Sequence, residues 1–302
     1  MDKWTGRVDD EADPETFRWH QIVRPVERHA EPGIALLGFA SDEGVRRNQG
    51  RTGAAQGPAA LRQALASLPV AHSRPLYDTG DIACTDGDLE GAQQRYADRM
   101  TELLADGHFP VGMGGGHEIA FASYLGLANS SGAGRIAIVN LDAHFDLRDS
   151  SVATSGTPFR QALRHAAEHG IALDYFCLGV SKASNTRRLF HTAAETGTRF
   201  LMDVDMTPAN AAAQVEQLLQ WLQPADSIYL TVCLDVLPHA VAPGVSAANP
   251  RGVTLETLEP FIAAVAGTGR LKLCDIAELC PPLDRDNVTA KVAARLIHGL
   301  AQ

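Results

Sequence analysis

No uninterrupted apolar stretch in this 302-residue chain reaches the ~18 residues of an ordinary membrane-spanning helix. There is no basic run either. Lys plus Arg number 26 against 36 Asp plus Glu, a net charge of −10, so the sequence has no electrostatic footprint for nucleic acid or an anionic membrane. Its five cysteines (Cys84, Cys177, Cys233, Cys274, Cys280) are odd in number and form no CxxC pair. That argues against a disulfide scaffold and for reduced thiols in the cytoplasm. The N-terminus is polar and carries Asp9, Asp10, Glu11 and Asp13, unlike a secretory signal. With 45% hydrophobic residues the chain can fill a sizeable core, which excludes general disorder.

Short apolar runs alternate with segments of helical period. Strands are expected at Ile34–Phe39, Pro75–Asp78, Phe109–Met113, Arg135–Leu141, Leu173–Gly179, Arg199–Met202, Ser227–Leu234 and Arg270–Ile276. Helices are expected between and after them, from Pro58–Ser67 to Thr289–Leu300. Apolar strands separated by amphipathic segments imply a parallel sheet covered by helices. Eight strand–helix units fit an open doubly wound sheet or a closed barrel equally well. No linker or repeat interrupts the pattern, so residues 31–302 read as one domain and residues 1–30 as an N-terminal arm on its surface.

The strongest chemical signal is Asn140-Leu-Asp-Ala-His-Phe-Asp146. Asp142, His144 and Asp146 alternate directly after a buried-looking strand, so an extended stretch would present all three to one side. Two carboxylates and an imidazole crowded together suit a divalent cation such as manganese, zinc or iron. In Val111-Gly-Met-Gly-Gly-Gly-His-Glu118, three glycines free the backbone for tight, positive-φ geometry and deliver His117 at a helix start. Asp235 ends a late apolar strand and is followed by a Pro-Gly loop; alone, it reads equally as a cap or as a ligand. Glu278 lies just past the last strand, where a carboxylate would face a cationic group or simply solvent. Asp203-Val-Asp205 lacks such a loop and reads as a surface turn.

His117 in GGGHE, Asp142-Ala-His-x-Asp146, Asp235 and Asp275-x-x-Glu278-x-x-Pro281 together resemble the ureohydrolase (arginase/agmatinase) family, over about residues 34–300. Ser41–Ala54, Ser155-Gly-Thr-Pro-Phe159 and Ala242-Pro-Gly-Val-Ser246 resemble its formiminoglutamate-hydrolysing branch. The resemblance implies a single-domain, three-layer α/β fold: an open, mostly parallel eight-stranded sheet with helices on both faces. It also implies two manganese ions per subunit, a homo-oligomer and a small amidine substrate, N-formimidoyl-L-glutamate. By position His117, Asp142, His144, Asp146 and Asp235 match the family's metal ligands. Asp146 would also carry the proton, and Glu278 would pair with the amidinium. The family's late strand usually reads Ser-x-Asp-x-Asp, whereas this chain has Thr231-Val-Cys-Leu-Asp235, so Cys233 stands where a bridging aspartate is expected. That departure leaves a ligand-binding but non-catalytic member open, beside a guanidino-acid or agmatine hydrolase releasing urea.

Around this core, Arg148, Ser155, Arg47 and Asn48 are candidates for holding substrate. Arg148 follows the aspartate cluster and would pair with a carboxylate rather than a cationic tail, or else with Asp149 as a structural ion pair. Arg46-Arg47-Asn48 is a second basic loop. Phe159 occupies a position where arginase-like members commonly carry histidine.

Overall fold

A computed structural model describes residues 4–301. In chain order the strands are β1 (Arg24–Pro25), β2 (Ile34–Ala40), β3 (Leu76–Ala83), β4 (Phe109–Gly114), β5 (Ile136–Leu141), β6 (Leu173–Val180), β7 (Arg199–Met202), β8 (Ser227–Cys233) and β9 (Leu271–Ala277). The helices are α1 (Trp19–Ile22), α2 (Glu43–Arg47), α3 (Gly57–Ala66), α4 (Leu89–Ala105), α5 (Ile119–Asn129), α6 (Pro158–His169), α7 (Arg187–Glu195), α8 (Ala211–Trp221), α9 (Leu255–Ala266) and α10 (Val288–Ala301). All strand pairs are parallel, in the order β1-β3-β2-β4-β9-β8-β5-β6-β7. The sheet is open, not a barrel. Among the described residues it has nine strands where eight were expected, because the two-residue β1 adds to one edge; a two-residue strand has no periodicity to read.

Strand alternation divides the core into two layers. In β2, Ile34 and Leu36 face the side covered by α3, α8, α9 and α10, with Leu61, Leu218, Phe261 and Ile297 among the buried residues. Ala35, Leu37 and Phe39 face the other side, where α4 to α7 bring Tyr96, Ala122, Phe159 and Leu189. Burial on both faces explains why the central strands read as continuous apolar runs.

The N-terminal stretch, expected as a surface arm, is tied into the domain. Trp19 is fully buried, and the Trp4 indole N–H donates to Asp78 (2.7 Å). Asp78 also accepts two hydrogen bonds (both 2.8 Å) from Arg62, a buried guanidinium that reaches Asp81 as well. Burial raises the Asp78 carboxyl, but Arg62 outweighs it and holds the group below its ordinary range. Here a buried cation is paid for by two carboxylates.

In a wholly parallel sheet every strand's C-terminal end lies on one edge. The neighbouring strands β4, β9, β8 and β5 are therefore followed, side by side, by His117, Glu278, Asp235 and Asp142.

Candidate metal centre

Each of those four strand ends is shaped by local chemistry. After β5, Asp142 stays in the ladder through its N–H to Leu178 O (2.9 Å). The chain then bends as His144 N donates to Asp142 Oδ1 (2.6 Å). Phe145 is pulled the opposite way into an edge-on cluster with Phe190 and Phe200, each at 5.1 Å. Asn185 clamps the bend, accepting from Phe145 N and donating to Ala143 O. The three predicted ligands do share a side, but through a bend rather than through extended alternation. Asp146 is in the left-handed region at φ +47°.

The glycines after β4 also differ from expectation. Gly114, Gly115 and Gly116 keep ordinary φ; their role is close approach. A Cβ on Gly115 would meet Ser41 O at 1.9 Å, where Gly115 N and Gly116 N dock on Phe39 O and Ser41 O. His117 N then donates to Glu278 Oε1 (2.9 Å). Glu278 too is left-handed, at φ +71°. Strain of order 1–3 kcal/mol at non-glycine residues persists where the surroundings enforce it, commonly at functional sites. Both Asp146 and Glu278 fit that pattern.

The side chains converge. His117 Nδ1 is 3.0 Å from both Asp142 Oδ2 and Asp146 Oδ2. His144 Nδ1 is 3.1 Å from Asp235 Oδ2 and 3.4 Å from Asp142 Oδ1. Potential ligand atoms fall into two groups, each within 4.8 Å: His117, Asp142 and Cys233, and Asp142, His144 and Asp235. Asp142 belongs to both. Cys233 is buried and faces the cluster rather than the apolar core. His117, His144, Asp146, Cys233 and Asp235 floor a cavity of about 280 Å³ with Glu278, Arg148, Ser155 and Asn48 on its walls.

The electrostatics show a site built for added positive charge. Burial, with Asp142 nearby, pushes Asp146 up to about 6. Burial, Glu118 and Asp235 push Glu278 up to about 8. Burial works against an imidazolium at His117 and His144, yet the surrounding carboxylates hold both well above the ordinary histidine range. His117 Nδ1 and Asp235 Oδ1 are buried without a well-formed hydrogen bond. Two imidazoles, three aspartates and a thiol with orphaned ligand atoms fit a pair of divalent cations.

The family model for the arginase family matches residues 32–301. The chain belongs to the arginase family. A formimidoylglutamase of Aeromonas hydrophila is 49% identical over 99% of this chain and 97% of its own. The crystal structure of formimidoylglutamase from Bacillus subtilis superposes with a TM-score of 0.85 at 25% identity, covering 98% of this chain and 93% of that one. Trypanosoma cruzi formiminoglutamase, crystallised with Mn2+, gives 0.82 at 24%, covering 91% and 94%.

Within this arginase-family site, the basic residues part company. Arg47 was a substrate candidate, but its guanidinium is used structurally: it pairs with Glu43 and Glu90 and donates to the carbonyls of Gly87 and Ala153. Arg46 pairs with Glu43. Arg51 reaches the cavity but spends its donors on the Val245 and Ser246 carbonyls. Arg148 is different. Asp149 pairs instead with Arg164 (2.6 Å), and among the described residues no side chain or carbonyl pairs with the Arg148 guanidinium. Gly156 makes room for it, since a Cβ there would sit 2.7 Å from Arg148 Cδ. Asn48 donates to Ser155 Oγ (3.2 Å) on the same wall.

Phe159 does not line the cavity. It stacks on Tyr175 (4.4 Å) and meets the His117 ring edge-on (5.4 Å), so it braces that imidazole from outside the cavity. Asp203-Val-Asp205 forms a turn as expected, although Asp203 itself is buried.

Several supporting residues went unread in the sequence. Thr231 Oγ1 lies 3.1 Å from His117 Nε2, and below it Asp275 accepts from Ser123 (2.5 Å) and Tyr229 (2.6 Å). Asn140 donates to Asp142 Oδ2 (3.1 Å). Glu118 accepts from Gly44 N (2.9 Å) and Ser41 Oγ (3.2 Å), and burial pushes it up to about 7. Two signals were available: a buried Asn in an apolar strand, and Thr231 sharing a strand face with Cys233.

Proposed function

We propose that this protein hydrolyses N-formimidoyl-L-glutamate to L-glutamate and formamide, with a pair of divalent cations, manganese among them, as its resident metals. The relative that is 49% identical over 99% of the chain supports the activity. The observation that carries the substrate reading is Arg148, an exposed guanidinium with no partner among the described residues, on the wall of a cavity floored by carboxylates. His117, Asp142, His144, Asp146, Asp235 and Cys233 would hold the ions. When bound, such a pair supplies Lewis acidity that brings the pKa of water close to neutral.

The chain's own residues do the rest. Glu278, fixed by His117 N–H, presents its second oxygen to the cavity and pairs with the amidinium. Asp146 takes the proton released when water adds to the amidine carbon and hands it to the departing nitrogen. Arg148 pairs with a substrate carboxylate, and Asn48 and Ser155 offer polar contacts beside it. A cationic tail such as that of arginine or agmatine would face Arg148 with like charge.

Five unpaired cysteines fit a reducing cytoplasm. No helix among the described residues is long and apolar enough to cross a membrane. A homo-oligomer is proposed from the family resemblance alone.

Product analysis tests the reading. With manganese supplied, formimidoylglutamate should yield formamide, a strong chelator should abolish this, and manganese should restore it. Urea released from a guanidino substrate at a comparable rate would overturn the assignment, as would the absence of turnover on any amidine.

A further inference from the structure

Of the two groups of ligand atoms that share Asp142, one contains sulfur and the other does not. Cys233 and His117 lie on one side of that carboxylate, His144 and Asp235 on the other. Cys233 is the last residue of β8, alternates with Thr231 and Asp235, and is fully buried with its side chain on the cavity floor. Its neighbour His117 offers a buried Nδ1 that makes no well-formed hydrogen bond. The donor sets therefore differ in kind. His144, Asp235 and Asp142 present one nitrogen and carboxylate oxygens, suited to a hard cation such as manganese. The other set replaces a carboxylate, able to bridge with two oxygens, by a single polarisable sulfur.

We propose that the centre is chemically divided, with Cys233, His117 and Asp142 forming a thiolate site that selects zinc-like cations while Asp142, His144 and Asp235 form the manganese site. A cation bound at the first site takes Cys233 as thiolate; the S–H bond breaks, the sulfur lone pair goes to the cation, and the proton leaves to solvent. Nothing is oxidised or reduced. The inference rests on the metal centre of the function proposed above, but its readout is independent of turnover.

Cobalt(II) and zinc are the probes, added to chelator-stripped full-length protein. Cobalt-loaded wild type should show sulfur-to-cobalt charge-transfer absorption, and Cys84→Ser should retain it. Cys233→Asp should lose the band. With one equivalent of zinc and excess manganese, wild type should retain one of each, with sulfur in the zinc coordination shell by X-ray absorption. Cobalt-loaded wild type without the band, or Cys233→Asp that keeps it, overturns the proposal. Formamide release, measured on the same preparations, separates the two readings. Sulfur absent while formamide forms refutes only the divided centre; sulfur present without formamide refutes only the activity.

Discussion

Thr231→Val removes one hydroxyl and almost no volume from beneath the metal centre. His117 Nδ1 points at Asp142 and Asp146; with a cation on Nδ1, the ring proton would sit on Nε2 and be donated to Thr231 Oγ1, 3.1 Å away. The other side of that hydroxyl is toward Asp275, itself buried and held by Ser123 and Tyr229. Partners of this kind fix the tautomer and orientation of a ligating imidazole, and losing one typically costs ~10- to 100-fold in metal affinity. At about 1.4 kcal/mol per factor of ten, that is roughly 1.4–2.8 kcal/mol. The variant also leaves a buried N–H unpaired, at a cost of about 1–3 kcal/mol in folding stability. Calorimetric titration of stripped protein with manganese or zinc should show the loss at the site that includes His117, with the site of His144 and Asp235 little changed. Thr231→Ser should restore affinity, because it returns the hydroxyl. Wild-type affinity at both sites in Thr231→Val would refute the role given to this hydrogen bond.

Four further variants have expected outcomes. Asp146→Asn should lower kcat by ~10²- to 10⁴-fold with a smaller change in KM, as for a group that moves a proton in the transition state; Glu278→Gln should keep its bond to His117 N but raise KM as well, and unchanged steady-state kinetics would remove it from the site. Arg148→Met should raise KM for an anionic amidine roughly tenfold, an exposed charged hydrogen bond being worth about 1–1.5 kcal/mol, while leaving kcat nearly intact; an unchanged KM would point to another carboxylate partner. Asp78→Asn should cost about 2–3 kcal/mol in urea unfolding, less than the ~3–5 of a fully broken buried pair because Asp81 still faces Arg62. Asp78 is depressed below 3.8 in the folded protein, so its contribution is complete above that pH and is lost as pH falls through the folded value; a gap between wild type and variant that narrows between pH 7 and 5 instead would contradict this.

Features that depend on local pattern could be read from the chain alone. Eight apolar strands and their intervening helices were legible because the central strands are buried on both faces and most helices on one, and those periods are local. The candidate ligands were legible because they cluster at strand ends in short segments, as in Asp142–Asp146. Tertiary structure decided the rest, for reasons that are not local. Open sheet against barrel depends on which strands pair. That pairing also sets β4, β9, β8 and β5 side by side, so that His117 and Glu278, far apart in the chain, share a hydrogen bond. The fate of each arginine depended on partners distant in sequence: Glu90 claims Arg47, Arg164 claims Asp149, and Arg148 is left for the cavity. Trp19 read as part of a polar arm because its burial comes from elements such as α3 and α10, which no neighbouring residue announces. Cys233 was ambiguous in one dimension, since a cysteine at a strand end packs in a core or binds a metal equally well. Its direction was set by the register of β8 against β5 and β9, which turns the face of Thr231 and Cys233 toward His117 and Asp142.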